Sequence, residues 1–413
     1  MGSALSDVRV IDASQIVAGP VCTAFLADLG ADVVKVEPPG GEMARGGEWE
    51  LDGQEINPAF LHINRNKRSM SVDLKDGEGR AVVGQLVEDA DVFVQNWRPG
   101  VAERLGVDYE TLRERNEDLV YAHITGYGET GPAAGMPGMD VVIQHVTGFS
   151  SMLGFEGHPP TQSQCSLADY FAGYTTALSI MAALHHRDRG GGGQKIDVSL
   201  LESLMHNMDS VFEFYHTLGM EPRRAGRTSY AHDDVLYGAA EAKDGWVCVA
   251  LLLYNDHMWE GYCELLDRPD LFEAERYRTA AGRRENIGTL TEQFEEWLAG
   301  YTVEEAVPML NEAGIPAAPH NTISEAAEMD QLRHRDVFVD IEHPQYDREF
   351  RLTDTPLSLS ETPPGIRSPA PELGEHTEEV LREVGYEEAE IERLVRRSVV
   401  SGENGPTAES GGH

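Results

Sequence analysis

The sequence predicts an α/β fold in which helices flank a parallel β-sheet, and three observations lead to this prediction. Between Val8 and Gly128, short apolar runs alternate with amphipathic runs, as in successive β-α-β units. The chain has 413 residues, enough for two or three domains with a large core. Apolar residues make up 41% of it, which excludes a largely disordered protein.

The predicted elements of the first half follow from local composition. Apolar runs predict strands at VRVIDAS, ADVVKVE, DVFVQNW and LVYAHITGYG. Gly19 and Pro20 can open the helix GPVCTAFLADLG, and Gly30 can close it. Amphipathic runs predict helices at DGEGRAVVGQLVEDA and YETLRERN. The long apolar helix SLADYFAGYTTALSIMAALHHR then leads through a glycine-rich turn to the strand QKIDVSL.

The second half predicts a further module. One long helix is expected at LLESLMHNMDSVFEFYHTLG, followed by the polar linker EPRRAGRTSYAHDD. The segment VLYGAAEAKDGWVCVALLL predicts two strands joined at KDG, and AGIPAAPHN predicts a strand at a sheet edge. Short strands at VFVDIEH and REFRLTD and one acidic helix, TEEVLREVGYEEAEIERLVRR, come next. We expect a disordered tail over residues 400–413.

The charge of the chain restricts its partners. With 33 basic and 71 acidic residues the net charge is −38, spread along the whole chain, which argues against nucleic-acid and anionic-membrane partners. Only five residues are lysine, and such an acidic, lysine-poor chain resembles the cytoplasmic proteins of halophiles. At molar salt the Debye length is about 3 Å, so the carboxylates repel each other weakly.

Several classes of site are not expected. The four cysteines form no CxxC pair, so we predict neither a metal site nor a redox dithiol. No G-x-G-x-x-G follows the first strand, so NAD is not expected. With no basic, apolar leader and no run of about 18 apolar residues, we expect a soluble, cytoplasmic protein.

Asp169, at the front of the long apolar helix, is the main candidate for chemistry. An Asp in this position often caps the helix by accepting bonds from its free N–H groups. A helix N-terminus also favours the anionic form of a carboxylate, which can attack an activated acyl carbon. Position alone leaves both alternatives open.

Several blocks of the sequence together resemble the family III CoA transferases, the CaiB/BaiF group, from Val8 to about Arg396. These blocks are GPVCTAFLADLGADVVKVEPPGG, NRNKRSMSVDL, DVFVQNWRPGVAERLG, ITGYGETGP, the LAD triplet before the long helix, GGGQKIDVSLLES, VLYGAAEAKDGWVCVA and EAGIPAAPHNT. The resemblance implies that Asp169 is a nucleophile that forms an aspartyl anhydride and then an aspartyl-CoA thioester. The CoA thioester is then a substrate, and no tightly bound cofactor is expected.

The resemblance also implies a CoA site, formed by Val72, Lys75, Asn96, Trp97 and Arg104. An acidic protein must concentrate positive charge to hold the CoA phosphates. The segment NKRSMSVDLK supplies Lys67 and Arg68 together with Lys75, although Lys67 and Arg68 could instead lie at an exposed strand edge. Trp97 could offer an aromatic face to CoA or pack in the core.

Asp140, in PGMDVV, matches an acidic residue near the active site of formate-transferring relatives, so it is a candidate assisting group or a helix N-cap. Val17 replaces a Gln of those relatives and Pro38 replaces an Arg, and their lid glycine run is not evident, which makes formate or oxalate an unexpected substrate.

Two other activities stay open within this resemblance. The related alpha-methylacyl-CoA racemases use a His in a GHD-like triplet, but this chain has Met139 there, and a thioether cannot move a proton. His145 is out of register and is expected to be an ordinary helix residue. A transferase is therefore favoured over a racemase. An inert CoA-binding protein is the third alternative, although Asp169 and the matched CoA-site residues argue against decay.

The resemblance implies a Rossmann-like large domain, formed by residues 1–220 and 336–396, a smaller α+β domain over 235–330, and an interlocked ring-like homodimer. The halophile-like composition suggests a small dicarboxylate pair, such as succinyl-CoA with mesaconate. Arg45, His62 and Tyr230 are candidates for the distal carboxylate of the substrate.

Overall fold

The computed structural model describes residues 2–47, 49–229 and 236–401, which form two compact units. Unit 1 comprises the described parts of Met1–Thr147, Ser163–Asp209 and Gln331–His413, and unit 2 comprises those of Gly148–Gln162 and Ser210–Asp330. Gly148–Gln162 and the residues from 210 to 220 fall in unit 2, although the predicted large domain includes them. The predicted domain ranges stay predictions, because a compact unit need not fold alone.

The strands, in chain order, are β1 (Arg9–Asp12), β2 (Asp32–Glu37), β3 (Trp49–Leu51), β4 (Gln54–Ile56), β5 (Arg68–Val72), β6 (Val92–Gln95), β7 (Val120–Thr125), β8 (Lys195–Ser199), β9 (Leu236–Glu241), β10 (Trp246–Leu251), β11 (Ala317–Pro319), β12 (Phe338–His343), β13 (Arg348–Thr353) and β14 (Val400–Ser401). The α-helices are α1 (Ala18–Asp28), α2 (Pro58–Ile63), α3 (Gly77–Glu88), α4 (Val101–Leu105), α5 (Tyr109–Arg113), α6 (Asp140–Val146), α7 (Phe149–Met152), α8 (Leu167–Asp188), α9 (Leu200–His206), α10 (Val211–Leu218), α11 (Asp256–Leu265), α12 (Pro269–Glu273), α13 (Ala280–Glu285), α14 (Ile287–Leu298), α15 (Val303–Glu312), α16 (Ile323–Ala327), α17 (Asp330–His334), α18 (Thr377–Glu383) and α19 (Glu388–Arg396).

The main sheet of unit 1 has the strand order β14-β5-β2-β1-β6-β7-β8. All neighbouring strands in it are parallel except β14, which pairs antiparallel with β5. Val10, Val34, Val92 and Val120 have at most 1% of their surface exposed. Such apolar strands are stable where helices cover both faces of a parallel sheet. The predicted α/β fold with a parallel sheet is therefore confirmed.

Unit 2 contains the smaller three-stranded sheet, in the order β11-β10-β9. Strands β9 and β10 form the predicted antiparallel pair, and β11 lies at the edge, as AGIPAAPHN predicted. Trp259 stacks on Tyr262 with ring centroids 5.3 Å apart and, with Phe294, forms part of the buried core of this unit. An α+β arrangement with its own core follows from these contacts.

Three predicted elements were wrong in extent. The helix expected after β8 is two helices, α9 and α10, because Asp209 between them has a left-handed φ of 55°. The acidic helix is also two helices, because Gly385 between α18 and α19 has a φ of 90°. Val400 and Ser401 form β14, where a disordered tail was expected, and residues 402–413 lie outside the described residues.

No helix in the described part of the chain combines the length and apolar character that crossing a membrane requires.

Candidate active site

Asp169 lies near the start of α8, at the edge of the main sheet where the parallel strands end. Helix α8 connects the parallel strands β7 and β8, so it begins at the carboxyl edge and runs back along the sheet. It packs closely on α1, since a Cβ on Gly173 would lie 2.8 Å from the Ala18 carbonyl oxygen. Asp169 is one turn before Gly173, which places it at the level of the segment between β1 and α1.

Asp140, and not Asp169, caps the long helix. The Asp140 Oδ1 atom accepts hydrogen bonds from the backbone N–H groups of Ala168, at 2.7 Å, and of Asp169, at 3.3 Å. The Nε2 atom of Gln144 donates to Asp140 Oδ2 at 2.6 Å. Among the described residues, no group donates a hydrogen bond to the Asp169 carboxylate. The capping role considered for Asp169 is therefore wrong, and Asp140 caps α8 rather than its own helix α6.

The environment of Asp169 raises its pKa to about 7. The first cause is burial, which removes water from the charged form, and the second is repulsion from the Asp140 carboxylate. Both the protonated and the ionised form of Asp169 are therefore populated near neutral pH, and the ionised form is a more basic nucleophile than an ordinary aspartate.

Asn96 lies at the point where the strand order changes direction, between β1 and β6. Its Oδ1 atom accepts a hydrogen bond from the Gln15 N–H at 2.9 Å, and its Nδ2 atom donates to the Gln15 carbonyl at 2.7 Å. In open α/β sheets, ligands bind in the crevice at such a switch point. Asn96 thus connects the two sides of the crevice in which a ligand is expected.

Trp97 is half-buried and packs against the core of unit 1. Its carbonyl oxygen is 2.8 Å from His123 Nε2, and the other ring nitrogen of His123 is 2.5 Å from Glu129 Oε1. The contact with His123 is the first cause of the lowered pKa of Glu129, about 2. The contact with His123 therefore fixes the position of the Trp97 carbonyl.

The other predicted CoA residues lie at or beyond the same strand ends. Val72 is the last residue of β5 and is buried, whereas Lys75, three residues later, is exposed. Arg104 is exposed on α4, which follows β6. The Arg80 Nη1 atom donates to the Leu74 and Lys75 carbonyls at 3.1 and 2.9 Å. Because Lys75 and Arg104 are exposed, an anion can reach their charges.

Two basic residues predicted to supply positive charge to CoA are committed to other contacts. Lys67 is buried, and its Nζ atom is 3.0 Å from Asp12 Oδ2 and 3.0 Å from the Pro20 carbonyl oxygen. Arg68 forms ion pairs with three carboxylates from two elements, namely Asp32 in β2 and Glu379 and Glu383 in α18. The prediction was wrong for both, because neither charge is free to meet a phosphate.

The three candidates for the distal carboxylate have different surroundings. Arg45 binds both carboxylate oxygens of Glu37 at 2.6 Å, so its charge is already neutralised. His62 lines a cavity of about 670 Å³ together with Tyr170 and Tyr174, and burial lowers its pKa to about 4. Tyr230 lies outside the described residues.

Sequence reasoning missed the segment between β1 and α1. Ile16 has a φ of 69°, a conformation that a β-branched residue adopts only under strain. Two buried charges hold it, because the Ile16 N–H donates to Glu42 Oε2 at 2.6 Å and Glu42 Oε1 is 2.7 Å from Lys35 Nζ. The signal in the sequence was a lysine inside the apolar strand ADVVKVE, where a charge requires a partner.

The residues relevant to a racemase lie in α6 and just before it. Met139 is exposed and precedes the helix. The Nδ1 atom of His145 is 2.8 Å from the Val141 carbonyl oxygen, one turn earlier in the same helix. The structure thus places no second acid–base side chain at the position of Met139.

The chain is similar to known proteins that are named as CoA-transferases. Residues 5–377 match the profile of CoA-transferase family III. A succinyl-CoA:mesaconate CoA-transferase from Haloarcula hispanica is 37% identical over 390 residues, which cover 92% of this chain and 96% of that protein. A succinate–glutarate CoA-transferase from Agrobacterium fabrum is 34% identical, over 92% of this chain and 95% of that protein.

A solved structure shows the same fold. The crystal structure of a CaiB/BaiF family protein from Brucella suis has a TM-score of 0.80 and 31% identity, covering 93% of this chain and all of that one. The family resemblance predicted from the sequence is confirmed. The chain belongs to CoA-transferase family III and is an enzyme that transfers CoA.

Proposed function

We propose that the enzyme moves CoA from succinyl-CoA to a small dicarboxylic acid, such as mesaconate, through covalent intermediates on Asp169. The observation that carries the proposal is the state of this side chain. Asp169 is half-buried at the carboxyl edge of the sheet, has a pKa of about 7, and receives no hydrogen bond from another described residue. A carboxylate in this state is available to a substrate.

The proposed reaction has four acyl-transfer steps, and every intermediate in it is an activated acyl group, either an anhydride or a thioester. An Asp169 oxygen attacks the thioester carbonyl of the donor, and the C–S bond breaks to give a mixed anhydride and CoA thiolate. The thiolate attacks the aspartyl carbonyl, releasing the donor acid as its carboxylate and leaving an aspartyl-CoA thioester. The acceptor carboxylate displaces the thiolate to form a second anhydride. The thiolate then attacks the acceptor carbonyl, which yields the new thioester and restores Asp169.

Asp140 is proposed to assist without forming a bond to the substrate. Its hydrogen bonds to the first turn of α8 fix the helix start that carries Asp169. Its negative charge raises the pKa of Asp169, after burial, and so makes the ionised nucleophile more basic.

The proposed CoA site lies at the ends of β5 and β6. Lys75 and Arg104 would meet the phosphates, since both cations are exposed. Val72, Asn96 and Trp97 would line the channel, and the two hydrogen bonds between Asn96 and Gln15 support a fixed wall there. Alanine at Lys75 or Arg104 should raise KM for the CoA donor several-fold and leave kcat nearly unchanged.

The substrate pair rests on the relatives. The Haloarcula hispanica relative is named for succinyl-CoA and mesaconate, and the Agrobacterium fabrum relative for succinate and glutarate. The test is a panel of C3 to C5 dicarboxylic acids offered to the enzyme with succinyl-CoA in molar KCl. Formation of an acyl-CoA from none of them would contradict the proposed substrates.

Trapping of the intermediate tests the mechanism. The enzyme is incubated with succinyl-CoA, treated with hydroxylamine or borohydride, digested, and the peptide that contains Asp169 is weighed. We expect a modified Asp169 in the wild-type enzyme and none in Asp169→Asn. The exposed Asp89, changed to Asn, is the matched control and should leave labelling intact. An unlabelled Asp169 combined with exchange of the α-proton with deuterated water would indicate a racemase instead.

We also propose that the enzyme is a homodimer that works in the cytoplasm of a salt-accumulating cell. Apolar side chains on α6 and α8 are exposed in one chain, among them Val146 at 55% and Leu178 at 72%. Exposed apolar residues on neighbouring helices are typical of a protein interface. Light scattering in molar KCl tests this, and a stable monomer would contradict both the dimer and its interlocking.

A further inference from the structure

The segment from Ser14 to Val17, here called the β1–α1 loop, is held by side-chain hydrogen bonds at each residue from Ser14 to Ile16. The Ser14 N–H donates to Asp12 Oδ1 at 3.0 Å, and the Ser14 carbonyl accepts from Lys35 Nζ at 3.0 Å. Asn96 binds both the N–H and the carbonyl of Gln15. Most loops are less constrained than this one. Hydrogen bonds from surrounding side chains therefore determine its backbone conformation.

The last of these contacts involves a buried ion pair. The Ile16 N–H donates to Glu42 Oε2 at 2.6 Å, and Glu42 Oε1 is 2.7 Å from Lys35 Nζ. The side chains of Lys35 and Glu42 are only 0% and 2% exposed. Burial alone would lower the pKa of Lys35, but the surrounding carboxylates, Asp12 first, raise it, so the lysine stays charged. A neutral residue could not hold Glu42 in the same way.

This ion pair maintains a strained conformation. The φ of 69° at Ile16 lies in the left-handed region, which costs a β-branched residue free energy that other contacts must offset. Gln15, Ile16 and Val17 are nevertheless half-exposed, so they are not held merely by packing in the core. Strain that persists at an exposed crevice is typical of functional sites.

We propose that Glu42 and Lys35 are positioning residues, which hold the β1–α1 loop as a fixed wall opposite Asp169 and so keep water from the acyl intermediates. The inference rests on the proposed function of Asp169. Gly173, one turn beyond Asp169 along α8, lies against Ala18, the first residue of α1. The loop that precedes Ala18 is therefore expected beside Asp169. Anhydrides and thioesters react with water, so a transferase must limit water at this place.

The decisive measurement is the ratio of CoA transfer to hydrolysis, with succinyl-CoA as donor and mesaconate as acceptor. For Glu42→Ala we expect hydrolysis to gain about tenfold relative to transfer, since a displaced wall admits water. Glu42→Gln keeps an acceptor for the Ile16 N–H but removes the ion pair with Lys35, so we expect a ratio between those of the wild type and of Glu42→Ala. A loss of folded enzyme alone would lower transfer and hydrolysis in proportion.

Two further variants separate positioning from stability. Asp28→Ala breaks a buried ion pair with Arg65 at the other end of α1, and it should reduce stability without changing the ratio. Ile16→Gly removes the strain, because glycine adopts a positive φ at no steric cost. In the Ile16→Gly enzyme, the rise in hydrolysis relative to transfer that Glu42→Ala causes should be at least about threefold smaller. This is expected when two changes act on one conformation.

The proposal is overturned if Glu42→Ala reduces transfer and hydrolysis equally, or if its effect is the same with Ile and with Gly at position 16. The ratio is measured on released products and does not depend on which residue carries the acyl group. A wild-type enzyme in which Asp169 stays unlabelled would therefore refute the proposed nucleophile and leave the test of the loop interpretable.

Discussion

Replacing Asp169 with Asn should make the protein more stable at neutral pH while it removes the proposed nucleophile. Burial and the Asp140 charge raise the pKa of Asp169 from 3.8 to about 7. The native state therefore disfavours the ionised form by about three pKa units, or about 4 kcal/mol at 1.36 kcal/mol per unit. Asn resembles the protonated acid in shape and carries no charge, so the variant lacks this cost.

The sign of the pH dependence distinguishes this cause from others. Below the unfolded pKa of about 4 both states are protonated, and the variant gains nothing. As the pH rises towards 7, the unfolded wild-type chain ionises before the native one, so the wild type loses stability. The difference in free energy of unfolding should be about 2 kcal/mol at pH 5 and about 4 kcal/mol at pH 8.

Urea unfolding in molar KCl at several pH values measures this difference. Asp89→Asn is the control, because Asp89 is exposed and its replacement should change the stability little at any pH. An Asp169→Asn protein that is no more stable than the wild type at pH 8 would refute the reasoning. So would a gain that is equal at pH 5 and pH 8, since packing alone would then explain it.

Other predictions follow from the same contacts. The rate of acylation by succinyl-CoA, followed by quenched flow, should rise with pH around a midpoint near 7, and Asp140→Asn should lower this midpoint because a repelling charge is lost. Gly173→Ala should destabilise the enzyme by about 1–3 kcal/mol in urea unfolding, since its Cβ would clash with the Ala18 carbonyl. The melting temperature should rise between dilute buffer and molar KCl, because salt screens the net charge of −38. An unchanged midpoint, an unaffected Gly173→Ala stability or a flat salt dependence would contradict the respective argument.

The sequence was sufficient for the parts of the fold that periodicity determines. Strands β1, β2, β6 and β7 are short apolar runs buried on both faces, and such runs are visible without a structure. It was insufficient where one residue in a left-handed conformation ends a helix, as at Asp209 and Gly385. In both places the helical pattern continues past the break, so periodicity indicates a single helix.

The candidate site was only partly predictable for a different reason. Asp169 and Asp140 were both candidates from their places in motifs, but only the fold shows that the Asp140 carboxylate caps the start of α8, 29 residues away in the chain. Lys67 and Arg68 were misassigned because a basic cluster in a sequence does not reveal which carboxylates surround it. The strain at Ile16 was missed, since nothing in its residue type favours a positive φ, and the lysine in ADVVKVE indicates a buried partner but not which loop that partner holds.

The distribution of lysine connects the composition to the site. Of the five lysines, Lys35 in β2 and Lys67 just before β5 are buried, and they neutralise carboxylates inside the fold. Molar salt screens exposed charges over about 3 Å but hardly reaches buried pairs. The contacts that position the β1–α1 loop are therefore insensitive to salt, whereas any contact of Lys75 with a phosphate is not.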